Sequence, residues 1–177
     1  MANIVFIATS LDGYIADQNN NVDWLHSVDN PEQCDMGFAC HFERIDALVM
    51  GRNTLELVLS FDMDWPYSKP VYVLTNTMTE VPNGYEGKIF LVNGPLTNIV
   101  KNLNRQGYKN LYIDGGITIQ SFLKEDLIDE MIITTIPIML GGGIPLFGEL
   151  DKPLNFKCID SKRFVDAVSQ NHFVRVR

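Results

Sequence analysis

Cysteine is scarce in this chain, with only Cys34, Cys40 and Cys158 among 177 residues. An odd and sparse set of cysteines is unlike a disulfide framework, so we expect reduced thiols and a cytoplasmic location. No apolar stretch reaches the ~18 residues that a membrane span needs. The first apolar run, residues 4–8, has no basic segment before it. We therefore expect neither a membrane partner nor a signal peptide.

Positive charge is also in short supply. The chain carries 14 Lys and Arg against 22 Asp and Glu, a net charge of −8. A chain of this sign repels a phosphate backbone, so we do not expect nucleic acid as a partner. A local pocket of backbone amides with one or two cations can still bind a phosphorylated small molecule.

Metal-ligand spacing is missing as well. His26 and His172 lie far apart in the sequence, and Cys34, Cys40 and His41 are neighbours without a fourth ligand. A structural zinc site takes four ligands. The sequence therefore predicts no metal site.

Short runs of Val, Ile and Leu are what the chain does contain. Nearly continuous apolar runs are typical of strands that are buried on both faces of a sheet. These runs are residues 4–8, 47–50, 71–75, 89–92, 111–113 and 131–138. Residues 156–160 and 172–176 alternate more and suggest antiparallel edge strands.

Helical spacing of apolar residues separates several of these runs, for example Leu96, Ile99, Val100 and Leu103. No linker or repeat divides the chain, so we expect one domain over residues 1–177. Alternating strands and helices predict an α/β fold of three layers, with a mixed, mostly parallel sheet of about eight strands.

Two junctions place glycine between a predicted strand and a predicted helix. They are Gly51-Arg52-Asn53-Thr54 and Gly115-Gly116-Ile117-Thr118. Glycine allows a ligand to approach the backbone closely, and a helix N-terminus offers free amides to an anion. An arginine adds a fork of donors that suits phosphate. Ordinary turns, with Arg52 in a surface salt bridge, are the alternative, and the dinucleotide fingerprint G-x-G-x-x-G is absent.

Residues 48–56 resemble the cofactor-binding segment of dihydrofolate reductases. Residues 112–116 and 120–123 resemble the second glycine turn and the following helix of that family, and residues 7–16 its first strand and active-site loop. The sequence Ser-Leu-Asp-Gly-Tyr-Ile-Ala at residues 10–16, and residues 138–147, are more similar to the reductase domain of bacterial riboflavin biosynthesis proteins. The resemblance implies a dihydrofolate reductase-like fold.

The resemblance also implies a cofactor, NADPH, and residues that bind it. Arg52, which follows Gly51, matches the arginine that meets the 2′-phosphate, and Thr54 matches the hydroxyl near the pyrophosphate. Thr75 and Asn76 match the polar pair around the adenine ribose phosphate. The remaining matches are the nicotinamide-lining Ala8 and Ile15 and the pyrophosphate turn of Gly115, Gly116, Ile117 and Thr118.

Two carboxylates are candidates for the catalytic acid. Asp35 falls where the family's acid belongs, counting back from Arg52, but it also suits the N-cap of a helix. Asp12 lies in the segment that matches the active-site loop, where it could instead hold a turn with its side chain. Lys69 aligns with the arginine that grips the folate tail, and lysine does not reproduce that bidentate fork, so we do not expect tight folate binding.

The resemblance implies an NADPH-dependent reductase that acts on a small heteroaromatic or carbonyl-type substrate, similar to a pterin or a riboflavin precursor. It would be similar to 5-amino-6-(5-phosphoribosylamino)uracil reductase or to dihydrofolate reductase, and by the same analogy a homodimer. The alternative is a nucleotide-binding module that keeps the reductase fold without catalytic activity.

Overall fold

The computed structural model describes residues 1–177 as ten β-strands and four α-helices. The helices are α1 Phe38–Arg44, α2 Arg52–Ser60, α3 Leu96–Arg105 and α4 Gly116–Lys124. The strands are β1 Ala2–Ser10, β2 Tyr14–Ala16, β3 Ala47–Gly51, β4 Val71–Leu74, β5 Ile89–Val92, β6 Asn110–Asp114, β7 Glu130–Ile136, β8 Ile144–Pro145, β9 Phe156–Phe164 and β10 Val168–Arg175. None of the helices is both long and apolar enough to span a lipid bilayer.

Eight strands form one sheet in the order β5-β4-β3-β6-β1-β7-β10-β9. The strands from β5 to β7 pair in parallel, whereas β10 is antiparallel to both β7 and β9. The expected mixed, mostly parallel sheet of about eight strands is thereby confirmed, including its antiparallel edge. The small pair of β2 and β8 was not predicted, since strands of three and two residues carry no periodicity to detect.

Alternating side chains on the central strands divide the interior into two apolar layers. Ala47 and Val49 of β3 face one layer, in which residues of α3 and α4 pack. Leu48 and Met50 face the other layer, together with Leu55 of α2. The protein therefore has helices on both sides of the sheet, which is the expected three-layer arrangement.

The carboxyl ends of the parallel strands lie at one edge of the sheet. Helix α2 begins directly after β3, and α4 begins two residues after β6 ends. Open α/β sheets bind ligands in the crevice outside these carboxyl ends. The fold thus directs the site to this edge.

One buried side chain departs from the apolar pattern of the core. His41 of α1 is 2% exposed, and both of its ring nitrogens lack a hydrogen-bond partner. Its ring stacks on Phe6 at a centroid distance of 4.8 Å and stands perpendicular to Tyr112 at 4.7 Å. Burial, assisted by the positive charge of Arg44, lowers the pKa of His41 to about 4.

We expect His41→Phe to make the free energy of unfolding depend less on pH below pH 7. Between pH 6.5 and 4 the unfolded chain binds a proton that the folded protein excludes from His41, so the free energy of unfolding falls as the pH falls through this window. From pH 7 to pH 5 the native protein should lose about 2 kcal/mol relative to the variant. Urea unfolding at several pH values measures this difference, and parallel profiles for the two proteins would contradict it.

Candidate active site

A cleft of about 1270 Å³ opens at the carboxyl edge of the sheet. Its walls come from the ends of β1, β3, β4, β5 and β6 and from the starts of α2, α3 and α4. Pockets for one small ligand measure about 300–1,000 Å³. The cleft is therefore large enough for a nucleotide and a second small molecule side by side.

The structure brings every cofactor-binding residue predicted from the sequence into the lining of this cleft. Some of these residues are more than 100 positions apart in the chain, so only the fold brings them together. These residues are Ala8, Ile15, Gly51, Arg52, Thr54, Thr75, Asn76, Gly115, Gly116, Ile117 and Thr118. Their contact with a cofactor stays a prediction.

Three helices present their N-termini to the cleft. The first turns of α2, α3 and α4 contain no acidic residue, and no side chain caps any of the three. The first amides of a helix lack intrahelical partners, and the helix dipole adds a partial positive charge there. The cleft thus offers free donors suited to the phosphates of a ligand.

The two glycine junctions pack directly against each other. Gly115 has a φ of +90°, and a Cβ built on it would overlap the hydroxyl oxygen of Thr54. In the reverse direction, a Cβ on Gly51 would lie 3.0 Å from the Thr118 hydroxyl oxygen. Glycine is required at position 115, whereas a Cβ at position 51 would be in tight contact with the Thr118 hydroxyl of the opposite helix.

We expect Gly115→Ala to destabilise the protein more than Gly107→Ala, its matched control. Gly107 also has a positive φ, of +100°, but a Cβ there meets nothing within 4 Å. The left-handed backbone alone costs alanine about 1–2 kcal/mol, and the overlap with Thr54 adds about 1–3 kcal/mol. Urea unfolding of both variants gives the comparison, and equal losses would show that the contact with Thr54 does not matter.

Arg52 reaches across the mouth of the cleft. Its Nε donates to Glu56 Oε1 at 2.6 Å, and its Nη1 donates to Thr77 Oγ1 at 3.0 Å. The hydroxyl of Thr75 accepts the amides of Thr77 and Met78, which fixes the loop after β4. The pair with Glu56 is half exposed, and such pairs are weak. Arg52 thus forms the surface salt bridge that the alternative interpretation describes, and a phosphate that enters between α2 and this loop would compete with Glu56 for the guanidinium.

The two carboxylates predicted as catalytic lie outside the lining of the cleft. Asp35 accepts the amides of Gly37 and Ala39 at 2.9 and 2.8 Å, at the start of α1. These amide hydrogen bonds lower the pKa of Asp35. The N-cap residue of α1 is Gly37, so the exposed Asp35 binds the first turn from two positions further back and is not itself the N-cap.

The Asp12 side chain links the loop after β1 to the loop after β7. It accepts the Ser10 hydroxyl at 2.6 Å and the amides of Leu140 and Gly141 at 3.1 and 2.8 Å. The hydroxyl and amide donors lower its pKa to about 2. A carboxyl group with that pKa is ionised at neutral pH and a poor proton donor. The catalytic assignment of Asp12 and Asp35 stays a prediction that these contacts do not favour.

Asp114 is the carboxylate that sequence reasoning missed. It ends β6, lines the cleft and is partly buried, with Oδ1 accepting the Gly115 amide at 2.8 Å. Burial raises its pKa to about 6, against the opposing effect of that hydrogen bond. Burial and the charge of Asp114 also raise the pKa of Tyr67, which lines the same cleft. The sequence did contain a signal for Asp114, since this acid lies at the end of a predicted strand, directly before Gly115-Gly116.

The sheet order and the cleft at its carboxyl edge define an α/β protein of the dihydrofolate reductase-like class. The chain belongs to the RibD C-terminal domain family, whose model matches residues 3–169. Dihydrofolate reductase from Enterococcus faecalis, solved with NADP(H), is 16% identical, covers 99% of this chain and 97% of its own, and gives a TM-score of 0.66. At 16% identity, this similarity shows a shared fold and nothing about activity.

Two nearer relatives cover almost the whole chain. A crystal structure of a protein from Shewanella sp. PV-4, whose name proposes a role in riboflavin biosynthesis, is 65% identical, with all of both chains covered and a TM-score of 0.98. YwjB of Bacillus subtilis (strain 168), an uncharacterized protein, is 35% identical over 97% of this chain and 97% of its own. The resemblance stated from the sequence is thereby confirmed at the level of superfamily and fold.

Proposed function

We propose that the protein is an NADPH-dependent reductase that transfers a hydride to a small heteroaromatic or carbonyl-type substrate, similar to a pterin or a riboflavin precursor. The observation that carries the proposal is the convergence of three uncapped helix N-termini, two glycine junctions and Arg52 on one cleft. Membership of a reductase-like family supports the same reaction class.

The donor set of the cleft fits the phosphates of NADPH. In this proposal the paired junctions at Gly51 and Gly115 hold the pyrophosphate, because their backbone is unobstructed by a Cβ. Arg52 meets the 2′-phosphate beside Thr75 and Asn76. Ala8 and Ile15 border the nicotinamide, which supplies the hydride when the cofactor is bound. A phosphate gives the guanidinium a charge to pair with, so NADPH is preferred over NADH.

Reduction of a C=N or C=O bond also consumes a proton, and we propose Asp114 as its source. It is the partly buried carboxyl group that lines the cleft, and its pKa of about 6 leaves roughly a tenth of it protonated at pH 7. A catalytic acid works best with a pKa near the operating pH. Burial at the end of β6 is therefore the feature that suits Asp114 to this role.

A panel assay tests the proposed function. NADPH oxidation is followed with dihydrofolate, the pyrimidine precursor of riboflavin and simple pterins, while NADPH binding is measured separately by fluorescence. We expect binding of NADPH and turnover of at least one compound. Binding without any turnover would favour the alternative, a nucleotide-binding module, and a failure of NADPH to bind would overturn both.

We also propose that the protein is a cytoplasmic homodimer, by analogy with its family. The edge strand β9 supports self-association, since nearly all of its residues are exposed along nine positions. A long unpaired edge is a ready template for pairing with another chain. Light scattering should give about twice the 20.0 kDa of one chain, and the mass of a single chain would refute the dimer.

A further inference from the structure

The small pair of strands β2 and β8, which we call the flap, forms part of the cleft wall. It is a two-stranded sheet separate from the main sheet, and the Leu146 amide extends it by donating to the Gly13 carbonyl oxygen at 3.0 Å. Ile15 of β2 and Ile144 of β8 both line the cleft. A two-stranded pair is marginally stable at best by itself. The position of the flap therefore depends on its contacts with the rest of the protein.

One set of contacts joins the flap to the second glycine junction. A Cβ on Gly116 would lie 2.9 Å from Ile15 Cδ1 and 3.3 Å from Ile144 Cγ2. The two isoleucines thus lie directly against the first residue of α4. One turn further along this helix, Gln120 Nε2 donates to the Pro145 carbonyl oxygen at 2.8 Å. A shift of the flap would therefore move the apolar wall beside the Gly116 backbone.

Asp12 provides the other set of contacts. Its carboxylate accepts the amides of Leu140 and Gly141, in the segment that leads into β8, and the hydroxyl of Ser10 at the end of β1. The Ser10 hydroxyl oxygen in turn accepts the amide of Tyr14 at 3.0 Å, where β2 begins. One carboxylate thus connects the starts of both flap strands.

Three donors converge on Asp12, and a carboxylate can accept from all of them. Oδ1 accepts from the Ser10 hydroxyl and the Leu140 amide, and Oδ2 accepts from the Gly141 amide. An asparagine in this place would have one accepting oxygen and an NH2 group that only donates. The Asp12 side chain does not line the cleft, so it acts on a bound ligand through the flap.

We infer that Asp12 is a positioning residue, which holds the flap against Gly116 and thereby fixes the cleft wall that borders the nicotinamide. The inference rests on the proposed function for placing the nicotinamide beside Ile15. NADPH and NADH carry the same nicotinamide, so the flap contributes equally to the binding of both. Asp12 differs in this respect from Arg52, whose proposed contribution depends on the 2′-phosphate.

Nucleotide binding by Asp12→Ala tests this role. We expect NADPH and NADH to bind about tenfold more weakly in fluorescence titrations, with the ratio of the two affinities unchanged. Asp12→Asn keeps one accepting oxygen, so its affinities should fall between those of Asp12→Ala and the native protein. Titration well below the unfolding temperature of each variant separates this effect from a loss of stability, because nearly all of the protein is then folded.

Asp17→Ala is the matched control. Asp17 accepts the amides of Asn19 and Asn21 at 2.8 and 2.9 Å, within its own loop, and does not line the cleft. Its replacement removes the same charge and two amide contacts without disconnecting the flap strands. Both nucleotide affinities should stay near the native values. Equal losses in Asp17→Ala and Asp12→Ala would overturn the inference, as would native affinities in Asp12→Ala.

Turnover distinguishes positioning from proton donation. If Asp12 acts through the flap, Asp12→Ala should raise the KM of both nucleotides and keep the native dependence of kcat on pH. A loss confined to kcat, with native nucleotide affinities and an altered pH dependence, would make Asp12 the proton donor and contradict the positioning role.

Methyl NMR of the protein without nucleotide separates this inference from the proposed function. The methyl signals of Ile15 and Ile144 should shift in Asp12→Ala and keep their native positions in Asp17→Ala. Unchanged signals in Asp12→Ala would defeat the inference even if NADPH binds. Shifted signals, in a protein whose native form fails to bind NADPH, would defeat the proposed function and still support the link between Asp12 and the flap.

Discussion

Replacing Asp114 by Asn should lower kcat by about 100-fold, because removal of a general acid typically costs 10²–10⁴-fold. The amide oxygen of Asn can still accept the Gly115 amide that Asp114 accepts at 2.8 Å, so the turn before α4 is retained. NADPH affinity should remain within a few-fold of the native value. Steady-state kinetics and a fluorescence titration measure the two effects separately.

The pH profile gives the second half of this prediction. The pKa of Asp114 is raised to about 6, so the activity of the native protein should fall above that pH as the proton is lost. The activity of the Asn variant should not show this fall. Glu125→Gln, an acid-to-amide change at an exposed position of the same cleft, is the matched control and should keep the native profile. A native profile in the Asp114 variant would assign the proton to another group.

Asp114→Asn should also stabilise the folded protein at neutral pH. The folded-state pKa of Asp114 lies above its value in the unfolded chain, so its ionisation disfavours the folded protein at neutral pH. Asp114→Asn should therefore raise the free energy of unfolding by about 1–3 kcal/mol at pH 8. The gain should shrink as the pH falls from about 6 toward 4. Urea unfolding at both ends of this range checks it.

Replacing Arg52 by Ala should weaken NADPH binding by about 10–100-fold, since a charge-assisted contact contributes roughly 1.5–3 kcal/mol. NADH lacks the 2′-phosphate, so its affinity should hardly change. Arg52→Lys should fall between, because lysine keeps the charge and loses the planar fork. Fluorescence titrations of the native protein and of both variants, each with NADPH and with NADH, measure these affinities.

Arg105→Ala is the matched control for this series. Arg105 ends α3, is exposed and does not line the cleft, so its removal changes the net charge equally without touching the site. It should leave the preference for NADPH intact. Equal losses of NADH and NADPH in Arg52→Ala would mean that Arg52 serves the fold or the pyrophosphate instead.

The sheet and its helices could be read from the sequence because their signals are local. The parallel strands from β5 to β7 are short apolar runs, and α3 carries its apolar residues at helical spacing. The antiparallel strands β9 and β10 extend further toward each other than their alternation indicated. Two of the three residues between these strands, Val165 and Asp166, have positive φ values that sequence patterns do not reveal.

The two glycine junctions that line the cleft could also be predicted, because each is a continuous motif in the sequence. What remained hidden depends on contacts between distant segments. The raised pKa of Asp114 follows from its burial, which neighbouring residues in the sequence do not disclose. The contact of Arg52 with Thr77 likewise joins residues 25 positions apart. For Asp35, the local sequence left two roles open. The structure places its carboxylate against the first turn of α1, whose N-cap residue is Gly37.

The central claim is that this cleft binds NADPH through Arg52 and the two glycine junctions. Amide-resolved NMR titration of the unmodified protein with NADPH and with NADH tests it most directly. We predict shifts at the amides of residues 51–54 and 115–118 with both nucleotides, shifts at Thr77 and the Arg52 Nε with NADPH only, and affinity at least about tenfold higher for NADPH. Binding of neither nucleotide, or shifts confined to residues outside the cleft, would contradict the account.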